Sequence, residues 1–162
     1  MTLKHAAIIT VLLLIAALIG VGALYLTSNV TVEAVGVIAV DAEAQPQLFA
    51  QLQEQQRSGY VTGTPYSTDP LGSAENYQFY TYTVRLKNNC FLTADMVELQ
   101  VTPMTGDVMQ LGDFGAKALS ARATGDIQAT ILTDINMHAV RELNVTYYMW
   151  GIPFTLRTTY GH

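Results

Sequence analysis

The first feature of the hydrophobic pattern is an apolar run over residues 6–26, which holds no charged side chain. As an α-helix it would extend about 31 Å, close to the thickness of a bilayer's hydrocarbon core. The pattern therefore predicts a transmembrane helix that serves as a signal anchor and contacts the lipid bilayer. The alternative is a cleaved signal peptide, since Val21 and Ala23 are small enough to precede a cleavage site. The length of the run favours the retained anchor.

The charges that flank this run predict its orientation. Lys4 and His5 precede the run, and the first charged residue after it is Glu33. Positively charged flanks stay on the cytoplasmic side of a membrane. We therefore expect a single-pass membrane protein with residues 1–5 in the cytoplasm and an extracytoplasmic domain over residues 27–162.

Beyond the apolar run, apolar and polar residues mostly alternate with the period of two that is typical of β-strands. Turn-forming pairs such as Asn88-Asn89 separate the alternating segments. Seven strands are predicted, over residues 29–41, 77–87, 96–103, 107–111, 124–133, 140–150 and 153–160. Seven short strands predict a mainly β fold, namely an antiparallel Ig-like β-sandwich of two packed sheets.

The alternation also predicts which side chains face the core. The predicted inward sets are Tyr80, Tyr82, Val84 and Leu86, then Val97, Leu99 and Val101, and then Leu143, Val145, Tyr147 and Met149. Arg141 belongs to the last set and is expected at the mouth of the core. In the first strand Val35 lies on one face and Ile38 on the other, so we expect the middle of that strand to be buried on both sides.

One segment between the first two strands has a different pattern. Residues 41–59 are rich in Gln and Ala and predict a short helix over about residues 45–57, with Pro46 in its first turn and Gly59 at its end. Its apolar stripe of Leu48, Phe49 and Leu52 needs a surface to cover it. Residues 60–76 contain several prolines and glycines and predict a turn-rich linker.

Charge and cysteine content exclude some classes of partner and of site. The region beyond the apolar run holds all 13 acidic residues and all but one of the 8 Lys and Arg residues, for a net charge of about −6. Its basic residues are scattered among acidic ones, which argues against nucleic acid as a partner. Cys90 is the only cysteine, so an intrachain disulfide and a zinc–thiolate cluster are excluded. Its apolar neighbours Phe91 and Leu92 favour a buried thiol over one that pairs between chains.

The pattern offers no convincing catalytic, cofactor or metal site. A hydrolase acting on envelope polymers would have to use His138, for which an exposed loop histidine is the simpler interpretation. Asp107, Asp113 and Asp126 each follow a glycine, an arrangement that could supply oxygen ligands to calcium. Ordinary turn chemistry explains the same pairs more simply. We therefore expect no enzyme and no cofactor.

Four aromatic side chains form a candidate partner surface. Strand alternation places Tyr77, Phe79, Tyr148 and Trp150 opposite the inward sets. Aromatic rings supply large and rigid contact area to a partner protein or a sugar. The alternative, which the pattern favours, is that both faces are covered, one by the other sheet and one by the short helix over residues 45–57.

Three segments carry a resemblance to known proteins. The order YTYTVRLKNN, ADMVELQVTP and TGDIQATILTD, within about residues 77–135, resembles the strand order of bacterial FxLYD and LEA14-type Ig-like domains. The chain lacks the Phe-x-Leu-Tyr-Asp signature of the first family. The resemblance implies a membrane-anchored Ig-like module outside the cell, without shared catalytic residues. We expect a non-enzymatic tethered module that binds or supports another component, or alternatively an accessory subunit of an envelope or membrane protein complex.

Overall fold

The chain folds into two antiparallel sheets packed face to face, with two α-helices among the residues described. The structure is a computed structural model and describes residues 3–27, 29–112 and 117–161. The helices are α1 (Leu3–Thr27) and α2 (Pro46–Ser58), and the strands are β1 (Val30–Asp41), β2 (Gly63–Pro65), β3 (Tyr77–Asn88), β4 (Ala94–Val101), β5 (Asp107–Leu111), β6 (Lys117–Leu119), β7 (Thr124–Asp134), β8 (Arg141–Met149) and β9 (Ile152–Tyr160). The first sheet has the order β1-β3-β7-β5-β2 and the second has the order β6-β4-β8-β9.

The mainly β sandwich is confirmed, and each of the seven predicted strands is present with small differences at its ends. The strands β2 and β6 were not predicted because three residues are too few to show alternation. The strand β2 lies within residues 60–76, the segment predicted as a turn-rich linker. Helix α2 matches the predicted short helix, and Gly59 ends it with a left-handed φ of 73°.

The predicted inward side chains of β3, β4 and β8 form the main core between the sheets. Tyr82, Val84, Leu143 and Val145 have no exposed surface. Ile127, Ala129 and Ile131 of β7 pack into the same cluster. Arg141 lies at one end of this core, and its side chain is fully buried there.

Strand β1 differs from the prediction because it is an edge strand. It pairs only with β3 in the first sheet, and its middle is partly exposed. The register shifts between Val32 and Ala34, which marks a β-bulge. The bulge reverses the faces, so Val35 and Val37 pack against the core while Ile38 is 64% exposed. The expectation of burial on both sides is therefore wrong.

Helix α1 stands apart from the core. The window Lys4–Ala23 is long and apolar enough to cross a membrane, and none of it is buried against the rest of the chain. Two residues separate the end of α1 from the start of β1. We call the end of the sandwich where β1 begins the α1 end, and the other the opposite end.

Candidate functional site

Helix α2 divides the predicted aromatic surface by covering its first half. Phe79 is only 2% exposed, and it packs with Phe49 and Leu52 of α2 in a second apolar cluster. The ring of Tyr77 is half-buried and lies 5.6 Å from the ring of Phe49. Phe79 therefore does not belong to the candidate partner surface. The apolar stripe of α2 packs on this patch of the sheet and is buried there.

The other two aromatic residues lie at the outer side of the second sheet. Tyr148 on β8 is half-buried, and Trp150 in the β8–β9 turn is 61% exposed. Tyr148 lines an open depression of about 240 Å³ at the edge of the sandwich. We call it the Tyr148 concavity; its lining includes Thr64, Met96, Glu98, Gln110, Thr146 and Tyr148. The structure thus separates Tyr77 and Phe79 from Tyr148 and Trp150.

The rim of the Tyr148 concavity is formed by an irregular stretch of β4. The pairing of β4 with β8 shifts register between Asp95 and Glu98. Within this bulge Met96 has a φ of 50° and is 59% exposed. A bulge turns side chains out of the regular alternation, and here it presents a flexible thioether beside the tyrosine ring.

One wall of the concavity is a polar bridge between the sheets. The buried amide of Gln110 accepts a hydrogen bond from the Val101 N–H at 2.9 Å and donates one to the Leu99 carbonyl at 2.9 Å. The Tyr66 hydroxyl lies 2.9 Å from both the Val101 carbonyl and Gln110 Oε1. Gln110 therefore satisfies the open edge of β4 much as a neighbouring strand would.

Burial keeps the tyrosine of this bridge protonated. It raises the pKa of Tyr66 to about 12, and the nearby charge of Asp107 acts in the same direction. The phenol therefore remains a hydrogen-bond donor at neutral pH. The bridge holds the two sheets at a fixed separation beside the concavity.

A buried ion pair lies at the opposite end of the core. Arg141 and Asp107 form two hydrogen bonds, from Nη2 to Oδ1 at 2.7 Å and from Nε to Oδ2 at 3.1 Å, with no exposed surface on either side chain. Arg141 Nη1 donates to the carbonyls of His138 and Val140 at 2.7 Å each. The Met104 N–H donates to Asp107 at 2.8 Å. These bonds occupy both side chains, so the pair fastens loops to the core.

The three candidate calcium ligands do not converge in the part of the chain that is described. Asp107 is bonded to Arg141 at the opposite end, whereas Asp126 pairs with Arg85 at 2.8 Å near the α1 end. Asp113 lies outside the described residues. Among those residues, no three His, Cys, Asp or Glu side chains are placed to hold one metal ion.

The remaining chemical candidates lie far from each other. His138 is exposed in the loop between β7 and β8, as expected. Cys90 follows β3 at the α1 end and is buried, which confirms the preferred interpretation of its thiol. Sequence reasoning missed the Gln110 bridge and the Asp107 pair, because neither residue has a local pattern that distinguishes it from other polar strand residues.

Comparisons with known proteins give structural similarity alone. No protein-family model and no curated protein matches the sequence. Among solved structures, the chain is similar to the cupredoxin domain of amoB from Nitrosocaldus yellowstonii, with 8% sequence identity and a TM-score of 0.36. The match covers 82% of this chain and 87% of that chain. Resemblance to the FxLYD and LEA14-type domains stays a prediction.

Proposed function

We propose that this chain is a non-enzymatic, membrane-tethered module whose sandwich lies outside the cytoplasm and binds another membrane or envelope protein. The observation that carries the proposal is the apolar surface of α1. None of the Lys4–Ala23 window is buried against the sandwich. A helix with apolar side chains on every side needs a bilayer or other transmembrane helices to bury it.

The flanking charges support the orientation of the tether. Lys4 lies at the start of α1, and the next Lys or Arg along the chain is Arg57. Basic residues are retained in the cytoplasm during membrane insertion. This asymmetry supports a cytoplasmic N-terminus and an extracytoplasmic sandwich.

The bonding of the interior supports a binding role over a catalytic one. In the described residues, every buried side-chain nitrogen and oxygen has a hydrogen-bond partner. Two of the buried polar groups, the Asp107–Arg141 pair and Gln110, are closed to a substrate by their own bonds. Active sites usually leave polar groups free to act on a reacting atom.

The Tyr148 concavity is the proposed contact for a partner protein. Its volume of about 240 Å³ is below the roughly 300–1,000 Å³ of most small-molecule pockets. It therefore suits one or two side chains of a protein better than a free ligand. Met96 and Tyr148 offer apolar contact, and Glu98 adds a carboxylate that would accept a hydrogen bond from a basic or amide side chain.

Protease treatment of intact cells tests the tether. The chain carries a C-terminal tag, and membrane fractions are compared before and after treatment. We expect a membrane-bound chain of full mass that loses its tag. A soluble chain, or a tag that survives while the cells are intact, would refute the topology.

Site-specific photo-crosslinking tests the partner surface. A photoreactive residue at Tyr148 should yield one dominant adduct with a membrane or envelope protein in intact cells. The matched control places the same group at Gln128, which is exposed on the outer face of the first sheet. Equal adducts from both positions, or a monomer after mild solubilisation, would count against the proposed contact.

A further inference from the structure

We propose that the α1 end of the sandwich rests directly on the bilayer, with the rings of Phe91 and Trp150 inserted at the membrane–water interface. The proposal rests on the proposed function, because the bilayer is the one that α1 crosses. The ligand of this surface is the lipid of the leaflet nearest to the sandwich. Under this proposal Trp150 contacts lipid, and the Tyr148 concavity remains the contact for a partner protein.

Chain connectivity places this end of the sandwich beside the membrane. Residues 28 and 29 alone separate Thr27 from Val30. A fully extended chain spans at most about 3.5 Å per residue, so β1 begins within about 10 Å of the last residue of α1. The apolar run ends at residue 26, and the headgroup region beyond the hydrocarbon core is roughly 6 Å thick on each side. Loops next to the start of β1 are therefore within reach of the headgroups.

The β3–β4 loop lies next to the start of β1. Val30 pairs with Asn88, the last residue of β3. The Asn89 N–H donates a hydrogen bond of 2.9 Å to the Asn29 carbonyl. Phe91 follows two residues later in the same loop.

The β8–β9 turn lies at the same end. Tyr148 pairs with Asp95 near the start of β4, and Met149 pairs with Ile152 across the turn. The turn is thus a two-residue loop made of Trp150 and Gly151. Phe91 and Trp150 therefore lie in two loops at the same end, and β4, which follows the first loop, is the neighbour of β8, which precedes the second.

These loop tips carry large apolar side chains where polar residues are usual. Phe91 is 72% exposed, Trp150 is 61% exposed and Ile152 is 42% exposed. Tight hairpin loops with positive φ at both positions favour Asn, Asp and Gly. Trp150 nevertheless occupies the first position with a φ of 52°. A bulky ring held in that conformation at a loop tip is poorly suited to water and well suited to an interface, where tryptophan is enriched.

Arg122 extends the same surface with a cation. Its guanidinium lies 4.1 Å from the centre of the Phe91 ring, and it has a φ of 59° in the turn before β7. Arginine beside an aromatic ring can bind a lipid phosphate while the ring enters the acyl boundary. Of the other basic groups near this end, Lys87 pairs with Glu33 and Arg85 with Asp126. The lipid that we propose as the ligand is therefore the zwitterionic phosphatidylcholine, whose phosphate Arg122 can bind.

The tryptophan itself reports on the proposal, because the chain has only 1 Trp. The full chain is reconstituted in phosphatidylcholine nanodiscs, whose two leaflets are both open to solutes. We expect the Trp150 emission to be quenched by lipids brominated near the headgroup and shielded from aqueous iodide. The Phe91→Ser variant removes one ring from the contact. It should weaken the affinity for lipid about tenfold, because the free energy gained by burying one aromatic side chain corresponds to roughly that factor. It should also increase the quenching of Trp150 by iodide.

The matched control moves the tryptophan to the opposite end. Met104 is 43% exposed and lies in the turn between β4 and β5, where its carbonyl accepts a hydrogen bond from the Asp107 N–H. The double variant Trp150→Phe with Met104→Trp should be quenched by iodide and unaffected by brominated lipid. Cys90 should resist a thiol reagent in each variant, which confirms that the sandwich is folded.

Two failures are distinguishable. If the chain does not co-elute with the nanodiscs, the tether is wrong and the lipid contact falls with it. If the chain co-elutes but Trp150 is as open to iodide as a tryptophan at position 104, the lipid contact alone is overturned. Shielding from iodide with quenching by brominated lipid supports both.

Discussion

Asp107→Ala should lower the free energy of unfolding by about 3–5 kcal/mol, because it leaves a buried guanidinium without its carboxylate. The variant removes two hydrogen bonds of 2.7 and 3.1 Å to Arg141, both inside a pair with no exposed surface. It also removes the acceptor of the Met104 N–H. Since each 1.4 kcal/mol is a factor of ten, the folding equilibrium constant should fall by about two to four orders of magnitude.

The surface of the same sandwich supplies a matched control. Arg85 and Asp126 also form two hydrogen bonds, of 2.8 and 2.9 Å, but their side chains are 54% and 41% exposed. The guanidinium lowers the pKa of the Asp126 carboxyl by hydrogen bonding. Solvent screens this pair, so Asp126→Ala should change stability little, and less still at high salt.

Alkylation of Cys90 provides the assay, because the only cysteine is buried in the folded chain. The full chain in detergent is equilibrated at a series of urea concentrations and pulsed with a thiol reagent, and the labelled fraction gives the unfolded fraction. The double variant Asp107→Ala with Arg141→Met should cost less than Asp107→Ala alone, since no buried charge remains. Equal losses from Asp107→Ala and Asp126→Ala would refute the reasoning.

Three further outcomes are expected. Gln110→Met should cost about 3 kcal/mol, because it leaves the Val101 N–H and the Leu99 carbonyl without partners; the exposed Gln128→Met is the control in the same urea assay. Gly63→Ala should speed hydrogen exchange in β2, because Gly63 has a φ of 127° and a Cβ there would clash with the Gln110 carbonyl. Gly36→Ala is the control and should leave hydrogen exchange unchanged, because a Cβ there meets nothing within 4 Å. Because the pKa of Tyr66 is raised to about 12 in the fold, its contribution is complete below its ordinary value near 10 and is lost as pH rises to about 12. Tyr66→Phe should therefore reduce the fall in urea midpoint over that pH range, and an unchanged slope would contradict the assignment.

The sequence by itself determined the seven longer strands, the inward faces of β3, β4 and β8, and the short helix. These features depend on neighbours only a few positions apart: successive side chains of a strand point to opposite faces, and those of a helix repeat every 3.6 residues. Tyr82 and Val145 could therefore be assigned to the core without knowledge of the topology. The apolar run of α1 can be recognised in the sequence for the same reason, since its length and composition are local properties of the chain.

The tertiary structure alone decided which polar groups meet and which aromatic rings remain exposed. Asp107 and Arg141 are 34 residues apart, and Tyr66 and Val101 are 35 apart. Contacts at such separation follow from how the sheets pack and leave no periodic trace in the chain. The bulge in β1 reversed a face, and α2 covered Phe79 while the α1 end left Phe91 and Trp150 open. Alternation predicts the face on which a side chain lies, whereas burial depends on what the rest of the chain places over that face.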